Sequence, residues 1–302
     1  MRRSVIQLAK NTLVITLPNK WVKRLGIKKQ DEVEVEEVKN SIIISTSNQV
    51  QTSEKALYAK GSKRFISRLI SIPYRQGCNK IELKYDNPKA IKDIQDNLNI
   101  CLGYEIISRG QNHCVIRDVA NLGAEDFNAL FSRFFFLTLS IGKDILGILE
   151  TKNYDELKDM KQLFDTQNKL HLACTILINK DWHKLDAHPM FTYLLIDILE
   201  RAGDQFHGMI DFLLSQDNVK LSKETLIYYK SSMSCFEKTH SLFNKFNFDD
   251  ARSLYDTNTD LNKEGDKLIL ASTGQNTIAL HYLLNLNRNL KEAGSAIMGL
   301  SI

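Results

Sequence analysis

Two carboxylates one helical turn apart, with an imidazole a further turn along, are the residues of this chain best placed to do chemistry. In Leu199–His207 (LERAGDQFH), Glu200 and Asp204 stand at i and i+4, and His207 and Asp211 extend the stripe at i+7 and i+11. Leu195, Leu199, Ala202, Phe206, Met209 and Leu213 fall on the opposite side of the same helix. The acidic stripe is therefore expected on the outside of its bundle. Oxygen donors of this kind form half of a site for a divalent or iron-type metal ion, such as Mg, Mn or Fe. A neighbouring helix must supply the rest, and Asp165, with Asn168 beside it, is the best candidate. The alternative is a solvated polar face, which any amphipathic helix has. No Ser-His-Asp or Cys-His arrangement is visible. His171 reads as packed or solvated, and His183 and His188 lack metal-ligand spacing. The chain therefore does not read as an enzyme.

A second concentration of chemistry lies at the start. Residues 1–29 carry Arg2, Arg3, Lys10, Lys20, Lys23, Arg24, Lys28 and Lys29, eight basic side chains and no acidic one. Asp31, Glu32, Glu34, Glu36 and Glu37 then reverse the sign. Such a basic segment attracts polyanions by releasing their counterions; the alternative is a solvated basic surface. Neither GxGxxG nor GxxxxGK[ST] occurs, so no glycine-rich phosphate loop is present.

The elements that must position these groups follow from pattern and punctuation. The 302 residues, 43% hydrophobic and 25% charged, have ordinary globular composition and are long for one domain. The longest uncharged apolar-rich run, Phe134–Gly142, has nine residues, whereas a spanning helix needs about 20, so no membrane insertion is expected. The start lacks the apolar stretch of a signal peptide, which suggests a cytoplasmic protein. Five scattered cysteines without a CxxC suit a reducing compartment.

Three segments are expected, 1–50, 54–119 and 122–302. The first alternates as short strands at Ser4–Leu8, Thr12–Leu17, Glu32–Glu36 and Ser41–Ser45, with a helix at Asn19–Leu25 between the pairs. Pro18 opens that helix and Gly26 ends it. The Glu-Val alternation predicts carboxylates on one face and buried valines on the other. A piece this small buries little surface, and pairing with a second copy is the expected remedy. The second segment reads as a small α/β module. It has a helix over Glu54–Gln76, a strand at Lys80–Tyr85, a helix from Pro88 to Cys101, and a hairpin of Tyr104–Ser108 with Cys114–Asp118. No proline occurs after Pro189, and six long helices are expected, roughly 124–151, 153–180, 190–216, 222–246, 248–272 and 275–300.

The helices repeat internally. Phe164-Asp165-Thr166 returns as Tyr255-Asp256-Thr257, an offset of 91, and Leu170 maps to Leu261. Leu199, Ala202, Gly203 and Gly208 map to Leu290, Ala293, Gly294 and Gly299 at the same offset. Two three-helix repeats, about 122–216 and 220–302, follow from this. Gly203 and Gly294 then mark close helix–helix approach. In the second copy, Lys291 and Ser295 stand where Glu200 and Asp204 stand in the first, while Asp256 and Asp260 remain.

Two family resemblances attach to these motifs. Residues 4–45, with TLVITLPNKWVKRLGI followed by KKQDEVEVE, resemble an AbrB/SpoVT-type (MazE-like) swapped-hairpin DNA-binding domain. The family usually places glycine where this chain has Gln30. The helical part resembles PhoU, the phosphate-uptake regulator, through Glu200-Arg201-Ala202-Gly203-Asp204 and Asp165-Thr166-Gln167-Asn168, and the order of segments resembles an archaeal type of such regulator. The resemblances imply a multidomain α+β chain: a swapped-hairpin β domain, a small α/β middle module and a C-terminal all-α pair of three-helix bundles. They imply a homodimer that presents Arg2, Arg3, Lys10, Lys20, Lys23 and Arg24 to double-stranded DNA. They further imply metal ions at Asp165, Glu200 and Asp204, and a transcriptional regulator of phosphate uptake. The alternative is an adaptor contacting phosphate-transport or signalling proteins, with the first domain only dimerising.

Overall fold

The computed structural model describes residues 2–38, 40–46, 53–60, 62–120, 122–185 and 188–302. The chain divides into two compact units, Met1–Gln51 and Thr52–Ile302. The joins expected at 50–54 and 119–122 fall partly outside the described residues.

The first unit is two hairpins with one short helix between them. β1 (Ile6–Ala9) and β2 (Thr12–Val14) pair antiparallel, Ile6 opposite Val14, around a turn at Lys10-Asn11. α1 (Asn19–Leu25) follows Pro18 and ends at Gly26, whose φ of 66° lies in the left-handed region that glycine adopts without strain. β3 (Glu34–Val38) and β4 (Ser41–Ser45) pair antiparallel, Glu34 opposite Ser45. Three strands differ from the sequence expectation, and a turn explains one of them. Pairing of the first hairpin stops at Val14, so Ile15–Leu17 have no ladder partner among the described residues. The amide of Lys28 donates to Asp31 Oδ2 at 2.7 Å, and the turn it closes holds Glu32 and Val33 out of the ladder. The valine face is not buried as expected: Val35 is 60% exposed. None of the described residues of this unit is buried.

The second unit begins with a four-stranded mixed sheet. β5 (Glu54–Tyr58), α2 (Lys63–Arg75), β6 (Lys80–Lys84), α3 (Ala90–Leu98), β7 (Tyr104–Arg109) and β8 (His113–Asp118) succeed one another, with strand order β5-β6-β8-β7. Residues 54–58 were expected to be helical and form a strand instead. Their helix-favouring residues, EKALY, are overridden by parallel pairing with β6, Glu54 opposite Lys80 and Tyr58 opposite Lys84. A parallel pair needs a crossover, and α2 supplies it. Ser62 caps α2 by accepting from the Phe65 amide. Ile66, Ile70 and Tyr74 of α2 join Ile81, Leu83, Ile94 and Ile116 in the hydrophobic core.

Six long helices follow: α4 (Phe127–Thr151), α5 (Lys161–Asp181), α6 (Pro189–Leu214), α7 (Lys223–Asn244), α8 (Phe248–Ala271) and α9 (Gln275–Ser301). A 3₁₀ turn at Tyr154–Lys158 replaces the expected start of the second. α4, α5 and α6 pack on one another, as do α7, α8 and α9, and the two groups join through α6 on α9 and α4 on α7. The join carries the 91-residue offset in its packing. A Cβ at Gly208 would lie 2.7 Å from the Tyr282 ring, and one at Gly299 would lie 2.5 Å from the ring of Phe191. Phe191 and Tyr282 are themselves 91 residues apart, so each repeat presents an aromatic ring to the other's glycine. The five cysteines are buried free thiols. No helix among the described residues is long and apolar enough to cross a membrane.

The sheet module is docked on the helices. Lys180 of α5 bonds Asp118 at the end of β8 at 2.7 Å, and Asn179 donates to the carbonyl of Arg75 at 2.6 Å. α2 consequently packs on α5 and lies near α6, where the acidic stripe is.

Candidate functional site

The first unit sets out its basic residues on three elements. Arg2 and Arg3 precede β1, Lys10 forms the turn of the first hairpin, and Lys20, Lys23 and Arg24 belong to α1. All six are exposed. On α1 the spacings i, i+3 and i+4 put Lys20, Lys23 and Arg24 on one side, while Trp21, Val22 and Leu25, partly covered, take the other. The unit also leaves large apolar side chains in solvent: Leu8 is 73% exposed, Leu13 70% and Ile42 63%. A surface of this composition offers basic side chains to a polyanion beside exposed apolar ones.

The first unit is thus a small module with a basic helix between two short hairpins. The family comparison agrees: residues 6–52 match the family described as antidote-toxin recognition MazE, bacterial antitoxin. The chain thus has an N-terminal domain of the MazE/AbrB type, which points to DNA binding or an antitoxin-like role, followed by a large helical region. No curated protein and no solved structure matches the chain.

The acidic stripe of α6 has a different setting from the one its sequence predicted. It does turn away from the bundle core, since Leu199, Ala202 and Phe206 are buried. Glu200, however, is partly covered, while Asp204 is exposed. They line a cleft of about 530 Å³ whose facing wall is α2, with Arg64, Arg68, Ser71 and Arg75, while Asn168 and His171 of α5 contribute its side. These α2 residues were missed at the level of sequence. Their spacing, i, i+4, i+7 and i+11, repeats that of Glu200, Asp204, His207 and Asp211, and sorting that helix by faces would have found them.

Burial, and then the charges of Asp204 and Asp197, push the Glu200 carboxyl up to about 7, against the opposing pull of Arg75 and Arg68. Asp204 is also raised, chiefly by burial. His171 is 9% exposed, and burial followed by the charge of Arg75 lowers it to about 4. Its Nδ1 lies 3.9 Å from Glu200 Oε1, too far for a hydrogen bond, and at neutral pH the ring carries no charge to pair.

The three residues expected to hold metal are not gathered. Asp165 is exposed on α5 and does not line the cleft that contains Glu200 and Asp204. One position before it, Phe164 packs on the ring of His207, with centroids 4.9 Å apart. His207 also lies outside the cleft lining, its Nε2 3.8 Å from Asp211. Among the described residues, no three His, Cys, Asp or Glu side chains are placed to share an ion. Two carboxylates with no third ligating side chain beside them are an incomplete donor set for a metal ion, so the residues present do not fit the metal. In the second repeat, Lys291 lies over the Tyr255 ring at 4.8 Å and Asp260 pairs with Lys263 at 3.4 Å.

Proposed function

We propose that the chain is a dimeric DNA-binding transcriptional regulator. Two copies of the MazE/AbrB-type unit interleave their hairpins, cover Leu8, Leu13, Val35 and Ile42, and present Arg2, Arg3, Lys10, Lys20, Lys23 and Arg24 twice to pseudo-symmetric DNA. The observation that carries this reading is a unit in which no described residue is buried and whose basic side chains are all exposed. Such a unit needs a second body for its core, and its charge favours phosphate contacts. The 91-residue helical repeat, with its resemblance to PhoU, supports a sensory role for residues 122–302 in phosphate homeostasis. Glu200 and Asp204 have no third ligating side chain beside them among the described residues, so metal forms no part of the proposal.

The test is selection of fragmented genomic DNA by the purified full-length protein at about 150 mM salt, where non-specific binding is weakened. Enrichment of a few promoter regions, lost when Arg2, Arg3 and Lys10 become Ala, is the expected result, with phosphate-transport promoters among them. Uniform weak retention refutes site-specific regulation. The second reading is an adaptor whose helical surface binds a transport or signalling protein. The independent packing of residues 52–302 as a compact unit favours it. Removing residues 1–50 discriminates: an adaptor keeps its partner with less avidity, whereas a DNA-binding regulator loses its operator.

A further inference from the structure

The cleft between α2, α5 and α6 is built from two walls of opposite charge. Arg64, Arg68 and Arg75 line one side, and no ion pair engages them among the described residues. The fourth cation there, Lys63, is already held by Asp96 at 2.9 Å and Asp93 at 3.7 Å. Glu200 and Asp204 line the other side. Between the arginines, Ser71 is 7% exposed and its Oγ finds no hydrogen-bond partner, although the residue lines the cleft. Every other buried Ser or Thr hydroxyl described in the second unit has a partner. A buried hydroxyl without a partner costs stability, and a ligand that takes or gives that bond recovers it.

The chemistry of the walls selects the ligand. Three guanidinium groups and a hydroxyl favour anionic oxygens, in forked geometry. Two carboxylates favour an ammonium. Among the described residues no Phe, Tyr or Trp lines the cleft, the His171 ring stacks on Phe134, and Ile100 and Leu172 are its apolar residues, so a stacked base or a long apolar tail finds little to hold it. A volume of about 530 Å³ lies within the ordinary range for small-molecule sites. Three positive and two negative groups match a ligand with two anionic groups and one ammonium.

We propose that this cleft binds a free acidic amino acid of the glutamate or aspartate kind. Its carboxylates lie against Arg64, Arg68, Arg75 and Ser71, and its ammonium against Glu200 and Asp204. The proposal goes beyond the DNA-binding reading and does not depend on it, since the assay reads the cleft alone.

The experiment is titration calorimetry on the full-length protein with L-glutamate and L-aspartate. Glutarate, which lacks the ammonium, and 4-aminobutyrate, which lacks one carboxylate, serve as controls. One of the two amino acids binds, and its matching control, for L-glutamate glutarate, binds about tenfold or more weakly, the factor set by one charged hydrogen bond. Asp204→Asn weakens the amino acid and leaves glutarate unchanged. Arg68→Ala, an exposed position on α2, weakens both. Ser71→Ala raises the melting temperature of the free protein while weakening the amino acid, a pair of effects that a merely structural serine does not give. Absence of binding by either amino acid at about 10 mM overturns the proposal, since such an affinity is below any specific site. So does glutarate binding as tightly as glutamate, or affinity unchanged in folded Arg68→Ala.

Discussion

Replacing Glu200 by Gln should stabilise the protein, by an amount that grows with pH. The folded chain raises this carboxyl from its ordinary 4.5 to about 7, first through burial and then through Asp204 and Asp197. Between those values the folded state holds a proton that the unfolded state has released. Wild-type stability therefore falls as pH rises through that window and is flat above it. A shift of this size corresponds to about 3 kcal/mol at most, and screening at the partly open cleft brings the expectation to about 2 kcal/mol. Glutamine keeps the shape and cannot ionise, so its advantage is near zero at pH 4.5 and fully present at pH 8. His171 acts in the opposite sense. Its ring is held near 4 against an ordinary 6.5, so it contributes stability that is lost as pH falls through that range. Both proteins retain His171, and its contribution cancels in the difference between them. The assay is urea unfolding at a series of pH values. The chain has two tryptophans, Trp21 in the first unit and Trp182 in the second, and a Trp21→Phe background lets fluorescence report the second alone. A difference independent of pH, or a Gln variant less stable at pH 8, refutes the argument that burial raises Glu200.

Gly203→Ala and Gly294→Ala, at equivalent places in the repeat, should have opposite effects. A Cβ at Gly203 runs into the amide of buried Gln167, whereas at Gly294 it meets Leu254 at an ordinary 3.6 Å. Thermal unfolding should show a loss of about 1–2 kcal/mol at the first and a gain of about 0.5–1 kcal/mol at the second. Gln30→Gly should stabilise the first unit by about 0.5–1 kcal/mol, read from the thermal midpoint of Trp21 fluorescence, since Gln30 has φ of 77°, where a side chain is strained. Changing Leu8 and Leu13 to Glu should convert a dimer to a monomer in light scattering with helical content kept; an unchanged mass rules out this face as the pairing surface. In the dimer, Arg3→Ala should reduce the salt dependence of DNA binding by about one unit of slope for each phosphate contact removed.

What the sequence made legible, and what it hid, separates along one physical line. Six helices were readable, all but the start of the second to within a few residues, because each buries a stripe against its neighbours, and periodicity records that burial directly. Asn19–Leu25 was readable because proline and glycine bracket it. Local rules failed where a partner distant in sequence decided the outcome. EKALY has helix formers, yet β6, 26 residues on, makes it a strand. Gln30 takes a left-handed turn that its side chain disfavours, because the turn closed by Lys28 and Asp31 imposes it. The acidic stripe shows the same limit at the level of function. Its period correctly placed Glu200 and Asp204 away from Leu199 and Phe206, but periodicity identifies only the core a face leaves. What that face meets next depends on another body, here α2, docked through Lys180–Asp118 and Asn179–Arg75. Once α2 lies opposite, the stripe is no longer half of a metal site. It becomes one wall of a cleft whose other wall is cationic, and the same two carboxylates change from donors for a metal into partners for an ammonium.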